Sequence, residues 1–139
     1  MNSLDELIAI EEIKKLKGRY QRALDAGKWD EFANCLTEDF TVWETGLTEP
    51  VIGREAVLKQ TRQSFKNYGG WKHHVLLPDI EILSDTTAKG VWTITSFEGI
   101  YEDEYVKVDG KWKVRKASVT LSEKFFKSLM ERRASMACS

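Results

Sequence analysis

The stretch YVKVDGKWKV, residues 105–114, constrains the fold of this chain more than any other. Val106, Val108, Trp112 and Val114 alternate with charged residues around Asp109-Gly110. Asp-Gly readily supplies the two positive-φ positions that a two-residue hairpin turn requires. Residues 101–108 and 111–121 are therefore expected to pair as antiparallel strands. The apolar alternation slips between Val114 and Ala117-Val119-Leu121, which predicts a bulge in the last strand. Upstream, 71–77, 79–83 and 88–98 also read as extended, with Pro78 marking an edge or a bulge.

The first half of the chain has the other periodicity. Leu4, Leu7, Ile8, Ile13, Leu16, Tyr20, Ala23 and Leu24 mostly follow three-and-four spacing, the pattern of an amphipathic helix. Ser3 is the expected cap, and Asp25-Ala26-Gly27 the expected end, because Gly27 adopts the left-handed stop without strain. A short helix with Trp29, Phe32, Ala33 and Leu36 on its inner face should follow. A strand EDFTVWE and a third helix over 53–65 come next. Helices first and strands afterwards define an α+β class. The expected architecture is three N-terminal helices packed in the concave face of a strongly bent mixed or antiparallel sheet. Such a cone-shaped α+β barrel has an open mouth, a usual place for a small molecule. Residues 1–139 make a single domain, with about 127–139 beginning as helix and fraying.

Composition narrows the function classes. With 139 residues, 42% hydrophobic and 31% charged, the chain has the make-up of a globular protein able to bury a core. A net charge of −1, with Lys and Arg spread throughout, disfavours nucleic acid as a partner. Apolar runs of only a few residues disfavour a membrane span. The alternating acids and bases of the N-terminus do not read as a secretory signal. Cys35 and Cys138 have neither metal nor disulfide spacing, so reduced thiols and a cytoplasmic location are expected, with no metal site.

His73 and His74 are the two histidines of the chain. Adjacent residues of an extended segment face opposite ways, so at most one serves a given pocket. Tyr20 and Asp25, near the end of the first helix, are the polar candidates to meet it. An imidazole beside a carboxylate is a general base: the carboxylate selects the tautomer and stabilises the imidazolium. With His73 inward, Val75 should follow it. With Ser96 inward, so should Trp92 and Ile94. Trp43, Tyr101 and Tyr105 are further candidate lining residues, while Trp29, Trp71 and Trp112 read as packing. A sheet apolar on both faces calls for a cover over the second, which a homo-oligomer supplies.

The segment IEEIKKLKGRYQRALDAGKWDEF with its Tyr-x4-Asp, the strand HHVLLPDIEI and the hairpin YEDEYVKVDGKWKV resemble the SnoaL-like branch of the nuclear transport factor 2-like superfamily. The likeness spans about residues 10 to 126 and is strongest to bile-acid 7α-dehydratase, with scytalone dehydratase-like enzymes and hexachlorocyclohexane dehydrochlorinase further off. It implies a His–Asp dyad driving elimination without a cofactor on a mostly apolar ring compound such as a steroid, terpenoid or polyketide. Isomerisation, polyketide cyclisation or non-catalytic ligand binding are the alternatives. The family's histidine stands five residues before a frequent proline, which from Pro78 is His73. Asp25 matches the dyad's aspartate, and Tyr20 the tyrosine that serves the departing hydroxyl. A further family acid falls on Ser96 and an arginine near Thr120, so both are expected at the substrate. His74 is left to the surface or a subunit contact, in an assembly the resemblance makes a trimer, with a dimer as the alternative.

Overall fold

The computed structural model describes residues 1–138. Ser139 and the Cys138 side chain, both in the stretch expected to fray, lie outside the described residues. Helix α1 spans Ser3–Ala26, and Asn2, rather than Ser3, caps it by accepting from the Asp5 amide at 2.8 Å. Gly27 (φ 69) closes it in the left-handed conformation. The helix thus runs past Leu24, and Asp25 lies inside its last turn. A carboxylate there opposes the helix dipole, and no basic residue of that turn offsets it. Such local conflict calls for a tertiary reason.

Helix α2 (Trp29–Asn34) leads into β1 (Leu36–Glu44), the short β2 (Val51–Ile52) and α3 (Arg54–Tyr68). Strands β3 (Val75–Ile82), β4 (Thr87–Ile94), β5 (Gly99–Val108) and β6 (Lys111–Leu121) follow, then α4 (Glu123–Cys138). One open mixed sheet has the order β2-β1-β6-β5-β4-β3, with β1 parallel to β6 and every other pair antiparallel. Asp109 (φ 50) and Gly110 (φ 77) form the hairpin turn. Glu104 pairs with Lys116 and Tyr105 with Val114, so Arg115 is the extra residue of the anticipated bulge. Strand β3 is an edge, and its register shifts between Leu76 and Asp79, around Leu77 (φ 53) and Pro78. It starts at Val75, so both histidines precede the strand in which they were expected. The segment expected to fray from about 127 is helical through Cys138.

The core joins Ile13, Leu16 and Tyr20 of α1 to Phe32, Phe40, Ile94, Val114 and Ala117. It also contains a charged pair: Lys17 Nζ lies 2.7 Å from Asp103 Oδ2, and both side chains are fully buried. The contact is an ion pair between two charged groups sealed from solvent. Tyr105 donates its hydroxyl to the same carboxylate at 2.7 Å, and Trp92 Nε1 donates to that hydroxyl at 3.0 Å. No helix among the described residues is long and apolar enough to cross a membrane.

Candidate active site

The cone encloses a cavity of about 310 Å³ between α3, α4 and the inner face of the sheet. Tyr20, Tyr101 and His73 line it. Asp25 stands behind His73: its Oδ2 accepts from the His73 backbone amide at 2.7 Å, while its Oδ1 contacts His73 Nδ1. One carboxylate thus fixes both the backbone and the ring, and this is the tertiary role of the misplaced acid in α1. In the neutral imidazole, a carboxylate that accepts from Nδ1–H leaves Nε2 with its lone pair. Gly70 makes the approach possible, since a Cβ there would lie 2.8 Å from the Asp25 carbonyl oxygen. His74 is exposed, its amide donating to Ser96 Oγ at 3.0 Å.

The floor is aromatic. Tyr20 packs edge-on against Tyr101 (6.3 Å between centroids), and Lys17 Nζ sits 3.4 Å from the Tyr101 centroid. Burial, then the neighbouring Tyr101, Asp103 and Glu44, pushes the Tyr20 phenol well above its usual pKa. Tyr101 is raised as well, chiefly by burial. Both therefore remain neutral donors. The buried Gln21 carboxamide has no hydrogen-bond partner among the described residues.

Other expected lining residues lie elsewhere. Trp43 alternates away from Val42 and Glu44, which do face the cavity, and donates Nε1 to the Leu47 carbonyl at 3.1 Å. Val75 packs against the core. Trp92, Ile94 and Tyr105 point inward but are buried beneath the floor. Ser96 falls in the turn after β4 and holds His74, so Phe97 reaches the cavity in its place. Thr120 is exposed because the Arg115 bulge resets the alternation and turns Val119 and Leu121 inward. Trp71, read as packing, lines the cavity.

Two charged groups complete the lining: Glu44 at the end of β1 and Arg133 of α4. Glu44 was legible as an acid sharing the face of Phe40 and Val42 in EDFTVWE. Arg133 continues the four-residue spacing of Phe125 and Leu129. Although the Glu44 side chain is open to the cavity, burial among the walls raises its pKa, with Arg133 and then His73 opposing.

A SnoaL-like domain model matches residues 5–118. The chain belongs to the SnoaL-like family. Among solved structures, this SnoaL-like domain is similar to a protein provisionally assigned as a scytalone dehydratase from Novosphingobium aromaticivorans. The two are 24% identical, covering 87% of this chain and 89% of the other, with a TM-score of 0.78. It is also similar to a type 2 hexachlorocyclohexane dehydrochlorinase, LinA (19% identity, 87% and 90% coverage, TM-score 0.74). A point variant of a Mycobacterium tuberculosis protein of unknown function matches at 22% identity, 88% and 77% coverage and a TM-score of 0.74. At these identities the likeness shows the fold. Among the described residues of the SnoaL-like domain, no group of three or more His, Cys, Asp or Glu side chains is placed to hold a metal ion.

Glu44 gives the domain a pH-linked stability term. Its folded pKa lies above the unfolded value, so its contribution is fully present below about pH 4 and is lost as pH rises through the folded pKa. Glu44→Gln removes that loss. Because the side chain is open to solvent, which screens the effect, the variant's melting temperature should exceed wild type only slightly, by ~1 °C at about pH 7.5, with a smaller gap at about pH 4. Equal gaps in melts at the two pH values would show that Glu44 ionises as readily in the folded protein as in the unfolded chain.

Proposed function

We propose that this SnoaL-like domain is a cofactor-independent lyase that removes water from a mostly apolar ring compound, with His73 as the base. The observation that carries this reading is the double engagement of His73 by Asp25, which leaves Nε2 as the unengaged ring nitrogen of a residue lining the cavity. His73 takes a proton from a carbon acidified by a neighbouring carbonyl, and Asp25 stabilises the imidazolium. Tyr20, held neutral by burial, donates a hydrogen bond to the departing hydroxyl. The apolar walls, Phe97, Phe125, Leu129 and Val119 among them, favour a ring skeleton. Neighbours named as a dehydratase and a dehydrochlorinase share the fold and add support.

The test is incubation with a panel of fused-ring β-hydroxy ketones in deuterated water. Ultraviolet absorbance follows the conjugated enone, and NMR follows deuterium at the carbon next to the carbonyl. Enone formation above the buffer rate is expected. Exchange without enone would replace elimination by isomerisation or cyclisation on the same base. Neither signal from any compound shown to bind would leave a ligand-binding domain.

A further inference from the structure

Helix α4 brings to the mouth a charge that the dyad chemistry does not use. Ser122 pins its start: the Ser122 hydroxyl accepts from the Phe125 amide at 3.1 Å and donates to Glu98 Oε2 at 2.9 Å. From there Phe125, Leu129 and Arg133 follow at four-residue spacing along one face, all lining the cavity. Gly46 (φ 102) lets the helix close, since a Cβ there would lie 2.6 Å from the Phe126 ring. The Arg133 guanidinium carbon sits 4.8 Å from the Tyr68 ring centroid and 6.0 Å from that of Trp71. Stacking on two rings limits where the fork can point.

The charge is held but not satisfied. Arg133 Nε is buried without a hydrogen-bond partner, and no carboxylate among the described residues lies within ion-pair distance of the guanidinium. A buried donor left unpaired is costly, and more so when it carries charge. Glu44 shares the cavity and feels the charge of Arg133, yet stops short of pairing with it. A ligand with a full negative charge would meet that carboxyl group. A neutral carbonyl brings no such charge there, and gains it only as its neighbouring carbon loses a proton.

We propose that Arg133 recognises the ligand's carbonyl oxygen and holds it as the enolate forms, so that the substrates are ring ketones rather than ring carboxylates. This rests on the lyase reading and gives it a substrate class. In the step, the C–H electron pair becomes the carbon–carbon π bond of the enolate and the carbonyl π pair moves onto oxygen, beside Arg133. The proton goes to His73 Nε2.

The proposal is tested by calorimetric binding of three matched probes: 1-tetralone, the hydrocarbon tetralin, and 1-naphthoate. Wild type should bind tetralone roughly 10–100-fold more tightly than tetralin, the range of a hydrogen bond to a charged group. Arg133→Met keeps the stem, and should bring the ratio near one while leaving tetralin affinity unchanged. Arg133→Lys should restore part of it, and serves if the Met variant fails to fold. Asp25→Asn should keep the full ratio, so a failure of the dyad and a failure of this assignment are distinguishable. An unchanged ratio in the Met variant, or none in wild type, overturns the proposal. So does tighter binding of naphthoate than of tetralone.

Discussion

Asp25→Asn protein is expected to keep its fold and lose about 10²–10⁴-fold in turnover, the usual range for proton transfer by a positioned base. The reason lies in donor and acceptor counting. Asp25 offers two acceptor oxygens, one to the His73 amide at 2.7 Å and one to Nδ1. Asparagine offers one acceptor and one donor. If its oxygen keeps the backbone amide, its NH₂ faces Nδ1 and favours the tautomer with the proton on Nε2, where the base must be bare. If it turns over, its oxygen still accepts from Nδ1–H, but its NH₂ then faces the His73 amide and the backbone bond that holds the residue is lost. Either way the imidazolium loses its counter-charge. The measurement is initial rate on a compound that wild type converts, beside circular dichroism and a thermal melt. Unchanged turnover in a folded variant would remove the dyad from the mechanism.

The largest stability effect should come from the buried pair under the floor. Lys17→Met is expected to cost about 3–5 kcal/mol, the penalty of leaving one member of a buried ion pair without its partner. Burial is the larger influence on Lys17 and lowers its pKa, with the charge of Asp103 opposing it. Without Lys17, the Asp103 carboxylate keeps the Tyr105 hydroxyl at 2.7 Å, but Oδ1, already without a partner, remains in the core beside an uncompensated charge. Adding Asp103→Asn should recover half or more of the loss, because the neutral amide still accepts from Tyr105. Urea unfolding of both variants checks this. A single variant within about 1 kcal/mol of wild type would mean that Asp103 is readily neutralised in place.

The elements that local spacing specifies were legible in the sequence. The Asp109-Gly110 hairpin, the Gly27 helix stop, the slip at Arg115 and the edge character around Pro78 each follow from a few adjacent residues. Strand alternation reduced the histidines to one per pocket, and the family resemblance selected His73 and Asp25, which the fold brings together. The same alternation misplaced Ser96 and Thr120, because a turn and a bulge each displace the count, and parity carries no memory across an irregularity.

The rest depended on contacts between distant segments. Lys17 has no place in the apolar spacing of α1, and only the packing of β5 against the helix gives it Asp103 as a buried partner. The end of β1 and the C-terminal helix, 89 residues apart at Glu44 and Arg133, meet only because the sheet curls and α4 folds back across its mouth. By itself the sequence determined the elements and their turns, since these depend on periodicity over a few residues, while the choice of His73 and Asp25 came from the family resemblance. Only the tertiary structure decided which charges share the cavity and which are sealed beneath it, because desolvation and charge pairing are set by neighbours in space.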